Sequence, residues 1–362
     1  MRHSNTVKLL IPLVLAAIAI YYLVYKLKKS TVQRNNSSSA GYRVHLDVAQ
    51  TSAKSYRIST RNCSYLIAVP QARLGNQMFI YASVIGLSIQ FGRIPVICTP
   101  PGETFLLEKP FELKTPKVIA EKVCCRHDLD LINEIAQTPC TQPIIFGVYL
   151  QSYRYWIAVA DIIRNEYVFK QSVLESARKR LYTTINTTYE KDISTNSIII
   201  GLHARRYNAA TERGFYHTAT VRYLDSTIEH FRTKFGIIRS NISNRYSNSN
   251  LNPSHKRLIF ILLGNDHEWN RKYVQNRSRS VNIFTPGTEN VPPEVDLCIL
   301  TMCDAVAISS GTFGWWGAFL SNVQSYRHVV YRYKQFDRKL AHITMYNLSG
   351  YIMPEWTPIY AI

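Results

Sequence analysis

From residue 197 to 332, short β-branched apolar runs alternate with segments at helical spacing, and no other feature constrains the fold as tightly. IIIGLHARR, RLIFILLGND, RSVNIF, AVAISSG and RHVVYRY carry the strand pattern. Thr220 to Lys234, HEWNRKYVQNR, VDLCILTMCD and TFGWWGAFLS carry the helical one. Parallel strands need crossovers of about this length, so the alternation predicts βαβ units and a mainly parallel sheet. A shorter unit precedes it. SYLIAVP reads as a buried strand, Gly75 as a turn, Met78 to Ile89 as an apolar helix and RIPVIC as a second strand. Residues 100 to 195 are less regular: IIFGVYLQSYRYW reads as a strand entering an aromatic stretch, and Ala160 to Tyr182 as one helix. Thr183 to Asn196 is a polar linker and Ser240 to His255 a polar surface insert.

Sheets of this kind bind ligands at the carboxyl ends of their strands. Three strand ends in the second half carry polar or glycine-rich tips: His203 to Arg206, Gly264 to Asp266, and Ser309 to Thr312. The guanidiniums of Arg205 and Arg206 beside His203 match phosphate or carboxylate. Ser309, Ser310, Gly311 and Thr312 fall between a strand and a helix, where free amides and the helix dipole favour a phosphate. Asp266 suits either a ribose hydroxyl or the cap of the helix that starts at His267. Trp315 and Trp316 are expected to pack in the core.

The uncharged run Leu9 to Tyr25, flanked by Lys8, Lys26, Lys28 and Lys29, has the length of a membrane-spanning helix. It continues past the A-x-A pattern at Ala17 to Ala19, which favours an anchor over a cleaved signal peptide. More basic residues follow the run than precede it, which alone would leave the N-terminus outside. Asn35, Asn36, Asn62, Asn186, Asn241, Asn276 and Asn347 each begin N-x-S/T and favour a lumenal body instead. The boundaries read as a tail at 1–8, an anchor at 9–27, a stem at 28–62, an N-terminal α/β domain at 63–195 and a C-terminal α/β domain at 196–362, which the resemblance described next makes the acceptor-side and donor-binding domains. Seven cysteines suit a few disulfides in an oxidising lumen, with at least one unpaired. The formal charge of +19 is spread among apolar segments without an aromatic-interleaved stripe, so nucleic acid is not an expected partner.

Arg73-Leu74-Gly75-Asn76-Gln77-Met78, His203-x-Arg205-Arg206, Asp296 to Cys303 and Gly311 to Leu320 stand in the order of the motifs of the α-1,2-fucosyltransferases, glycosyltransferase family 11, which the chain resembles from Arg73 to Leu320. The resemblance implies a GT-B type α/β fold of two Rossmann-like domains facing across a cleft, after a single transmembrane helix and stem. It implies GDP-fucose as donor, a galactose-containing glycan as acceptor, inversion at the fucose anomeric carbon, no required metal or cofactor, and a type II anchor in the Golgi membrane. A homo-oligomer is left open. Carried onto these positions, Arg205, Arg206 and His203 are the catalytic candidates, with both arginines facing the diphosphate. Ser309, Ser310, Gly311, Thr312 and Asp266 would bind the donor, joined from the facing domain by Arg73, Gly75 and Asn76.

One position departs from the pattern. Asn208 stands where the family usually has an acidic residue, and asparagine cannot take the proton of the attacking hydroxyl. Glu212, Asp266, Glu294 and Asp296 are the remaining candidates. The same departure keeps a second expectation in play, a membrane protein that binds a glycan or GDP-sugar on this fold without transfer.

Overall fold

Two parallel sheets carry the described part of the chain. A computed structural model describes residues 65–70, 72–98, 104–114, 117–118, 144–146, 149–185, 197–207, 217–235, 257–286, 291–321, 328–332 and 350–360. The expected anchor and stem, the insert, Asn208, Glu212 and all sequons except Asn276 lie outside these residues. Among the described residues no helix is long and apolar enough to cross a membrane.

The first sheet contains β1 (Tyr65–Ala68), β2 (Ile94–Cys98), β3 (Lys117–Val118) and β4 (Ile144–Phe146) in the order β3-β2-β1-β4, with every pairing parallel. Helix α1 (Leu74–Phe91) makes the crossover from β1 to β2 and ends on Gly92, whose φ of 63° is the left-handed conformation of a helix stop. Fourteen of its 18 residues are buried, so it is a core helix packed on several sides, without one amphipathic face.

The second sheet contains β5 (Ser197–Ala204), β6 (Arg257–Gly264), β7 (Ile283–Phe284), β8 (Ala305–Ile308), β9 (Val329–Arg332) and β10 (Thr357–Ile359). Its order is β10-β9-β8-β5-β6-β7, again all parallel. Counted from β5 this is the doubly wound order 3-2-1-4-5-6, and the first sheet reproduces its 3-2-1-4 portion. The direction of winding reverses between β5 and β8 in one sheet and between β1 and β4 in the other. Crossovers are made by α4 (Val221–Lys234), α5 (His267–Arg277), α6 (Pro293–Met302) and α7 (Thr312–Leu320), which the alternating pattern predicts.

Side chains alternate across a strand, and here the alternation divides the interior. Ile199, Ile259, Ile261, Leu263, Val306 and Ile308 join the core that also holds α1 and the first sheet. Ile200, Leu202, Ala204, Leu258, Phe260 and Leu262 form a second core under α4 and α5. The first core thus spans both sheets. Its centre is aromatic: Phe79 of α1 lies 4.7 Å from Trp315 and 5.0 Å from Trp316, and Trp156 stacks on Trp316 at 5.4 Å. Trp315 and Trp316 are fully buried, and Trp316 Nε1 donates to the Gly75 carbonyl at 3.0 Å.

Two expectations change. The single helix predicted over Ala160 to Tyr182 is two, α2 (Ala160–Glu166) and α3 (Gln171–Ile185). Tyr167 to Lys170 interrupts them, because Phe169 bridges Phe111, Glu112 N donates to Val168 O and Lys170 N to Pro110 O. Tyr167 also buries its ring and donates its hydroxyl to Met78 O at 2.6 Å. Cys298 and Cys303, counted toward a disulfide framework, are buried free thiols packed in the first core. Burial pushes the Cys298 thiol up to about 12, so it is inert as a nucleophile at neutral pH.

Candidate active site

Each reversal of strand order leaves a crevice at the carboxyl ends of the adjacent strands. After β1 come Ala72 to Asn76, and after β4 comes Gln151; after β5 come Arg205 and Tyr207, and after β8 come Ser310 to Phe313. Residues from all four segments line one cavity of about 660 Å³, together with His203, Asn265, His267, Asp296 and Tyr351.

The approach of the two crevices is set by α1 and α7. A Cβ at Gly75 would lie 2.7 Å from Thr312 Oγ1 and 2.8 Å from Phe313 N, so only glycine lets the two helix starts meet. Across that contact Thr312 Oγ1 donates to Asn76 Oδ1 at 2.7 Å, and Gln151 Nε2 donates to the same oxygen at 3.0 Å. α7 begins at Gly311 with φ 90° and no side-chain cap, which leaves its first-turn amides for a ligand. Ser310 Oγ donates to the His217 carbonyl at 3.2 Å and lies 3.1 Å from Tyr207 Oη.

The predicted site residues separate into those that line the cavity and those that hold the lining in place. His203, Arg205, Arg73, Gly75, Asn76, Ser310, Gly311 and Thr312 line it. Ser309 lies behind it, fully buried, and its Oγ accepts from Arg205 N at 2.8 Å. Arg206 also stays out of the lining. Its guanidinium lies over the Trp269 ring at 4.6 Å, Nη1 donates to Ala219 O at 2.8 Å, and Nε faces Asp266 Oδ2 at 3.6 Å. Of the two arginines expected at the diphosphate, only Arg205 therefore faces the cavity. Asp266 caps α5, accepting from Trp269 N at 3.0 Å, which is one of the two roles its position suits.

Burial, and second the positive charge of Arg205, holds the His203 imidazole down at about 3, so it is neutral at physiological pH. Its Nδ1 is buried against Gly314 and has no hydrogen-bond partner. Asp296 moves the other way. Burial raises its carboxyl to about 6, against the opposing pull of Arg180 and His267. Arg180 Nε is 3.9 Å from Asp296 Oδ1, beyond hydrogen-bond range. Among the carboxylates considered as proton acceptors, Glu294 and Asp266 do not line the cavity and Asp296 does.

Sequence reasoning placed Asn265 in a polar strand-end tip without a role, and missed Gln151 and His267. Asn265 Oδ1 accepts from Arg206 N and its Nδ2 donates to Arg206 O, clamping the loop that presents Arg205. Gln151 had a local signal, a polar residue just past a strand, that the aromatic stretch around it obscured. A further signal exists only in three dimensions. Ala72 and Leu150, with φ of 61° and 48°, are the non-glycine residues at positive φ among the described residues, and they directly precede Arg73 and Gln151. Such backbone costs roughly 1–3 kcal/mol per residue and tends to collect at functional sites.

Fold and site together define an α/β protein whose two Rossmann-ordered sheets meet at an anion-ready cavity. The family model described as glycosyl transferase family 11 matches residues 39–346. The chain belongs to that family. It is 23% identical to galactoside alpha-(1,2)-fucosyltransferase 1 of Bos taurus over 81% of this chain and 75% of that protein. It is 24% identical to galactoside alpha-(1,2)-fucosyltransferase 2 of Gorilla gorilla gorilla over 80% and 77% respectively. Among solved structures, the fucosyltransferase NodZ from Bradyrhizobium overlays with a TM-score of 0.45 at 13% identity, covering 71% of this chain and 94% of that one.

Proposed function

We propose that this protein transfers fucose from GDP-fucose, with inversion, to a galactose-type 2-hydroxyl of a glycan. The observation that carries this is the placement of the family's shared segments: Arg205 and the uncapped start of α7 on one side of the cavity, Arg73 and Asn76 on the other. In transfer, the acceptor oxygen bonds to the fucose anomeric carbon while the bond from that carbon to the β-phosphate oxygen breaks. Charge grows on the departing GDP, and donors already aimed at it stabilise the transition state most. Arg205 and the α7 amides are such donors. Asp296, ionised at neutral pH, can take the proton of the attacking hydroxyl or accept a hydrogen bond from the nucleotide; either role requires the carboxylate.

The lumenal, Golgi-anchored arrangement belongs to the same proposal. It is supported by the uncharged run Leu9 to Tyr25 and by the sequons, of which Asn276 is exposed on α5. The second reading, binding of a GDP-sugar without transfer, is favoured by Asn208. The test is GDP release and product linkage analysis with GDP-fucose and a galactoside panel. A linked fucosyl product establishes transfer, and tight GDP binding without product under conditions that serve a working relative favours the second reading.

A further inference from the structure

Gln151 lines the cavity and is tied to Asn76, yet no family motif discussed above contains it. It follows β4 at the crevice of the first sheet, opposite Arg205 and the α7 start. Its Nε2 is committed to Asn76 Oδ1, which also receives the Thr312 hydroxyl. In this arrangement the amide nitrogen lies toward Asn76 and the oxygen away from it. The Oε1 atom makes no hydrogen bond to any described residue. Backbone on both sides is tied down. Leu150 is buried at φ 48°, its carbonyl accepts from Ser83 Oγ at 3.0 Å, and Ser152 N donates to the same carbonyl at 2.8 Å.

A carbonyl oxygen with no partner among the described residues, on a side chain that lines the cavity, selects its ligand by chemistry. It repels phosphate oxygens, which have no proton to give, and attracts a hydroxyl. Arg205, Ser310 and Thr312 come from the second sheet, whereas Gln151, like Arg73 and Asn76, comes from the first. We propose that Gln151 Oε1 accepts a hydrogen bond from a hydroxyl of the acceptor sugar and so positions and selects the acceptor. Through Asn76, that contact joins the turn that faces the donor phosphates: Gln151, Asn76 and Thr312 form one hydrogen-bonded chain from acceptor side to donor side. The inference rests on the proposed fucosyl transfer and adds the residue that reads the acceptor.

The experiment compares wild type with Gln151→Ala and Gln151→Glu on a galactoside and its monodeoxy analogues, with GDP-fucose KM, acceptor KM and kcat measured separately. Loss of one hydrogen bond worth about 1.4 kcal/mol is tenfold, so Gln151→Ala is expected to raise acceptor KM about tenfold with donor KM within about twofold. One deoxy analogue should bind wild type as poorly as the parent sugar binds Gln151→Ala, and should lose nothing further in that variant. Gln151→Glu, which keeps the acceptor oxygen but loses the donor to Asn76, should restore part of the acceptor affinity. Equal rises in both KM values, or an acceptor KM that does not move, would overturn the assignment while leaving fucosyl transfer intact. A wild-type protein that makes no fucosyl product overturns the assignment together with the function it rests on.

Discussion

Arg205 and Arg206 are neighbours in the chain and opposites in the fold, which makes them a sharp pair for mutation. Removing a preorganised donor to developing charge costs roughly 3 kcal/mol, so Arg205→Ala is expected to lower kcat about a hundredfold without loss of folding. Arg206→Ala should instead lower thermal stability, since it removes the contacts with Trp269 and Ala219, and should leave a larger share of kcat; melting curves and initial rates on both variants decide this. For Asp296, the active form is the carboxylate, so activity should fall as pH drops through about 6. In Asp296→Asn that acid limb should disappear along with most of the turnover, which a pH–rate profile reads directly. Their effects on stability have opposite signs. His203 binds its proton less readily folded than unfolded, so it favours the folded state increasingly as pH rises from about 3 to 6.5. Asp296 binds its proton more readily when folded, so its contribution declines as pH rises from 3.8 to about 6. None of this was legible in HARR or VDL, because burial of His203 and Asp296 and the outward turn of Arg206 depend on α5, α6 and α7 arriving from elsewhere in the chain.

At the scale of elements, the strand ends after β5 and β8 were readable because apolar runs with abrupt polar tips are local signals. The joint between α1 and α7 was not: Gly75 and Thr312 are far apart in sequence, and nothing in RLGNQ shows what lies against its glycine. Gly75→Ala is expected to destabilise the fold by about 1–3 kcal/mol, because the nearest atoms include the backbone N of Phe313. Differential scanning fluorimetry should show a fall of several degrees, with activity lost in step as Thr312 separates from Asn76. An unchanged melting temperature would mean that the joint can open without cost. The break between α2 and α3 was equally hidden, since a YVF run reads as helix or strand until Phe111 is known to lie beside it.

For the molecule as a whole, the sequence marked two α/β halves, but their mutual packing came only with the structure. Because one core spans both sheets, the halves are expected to unfold together, and calorimetry and far-UV circular dichroism of the folded body should give a single coincident transition. Two resolved transitions would show that the aromatic seam is weaker than its burial suggests. That seam also has an optical consequence. The chain has five tryptophans, and four of them, Trp156, Trp315, Trp316 and Trp356, are in ring contact with one another. The fifth, Trp269, lies apart under the Arg206 guanidinium. Intrinsic fluorescence therefore carries two separable signals: energy migrating within the four-ring cluster reports whether the halves are joined, and the emission of Trp269, beneath the Arg206 guanidinium, reports the loop that presents Arg205. A Trp269→Phe variant would silence the second and leave the first to be read alone.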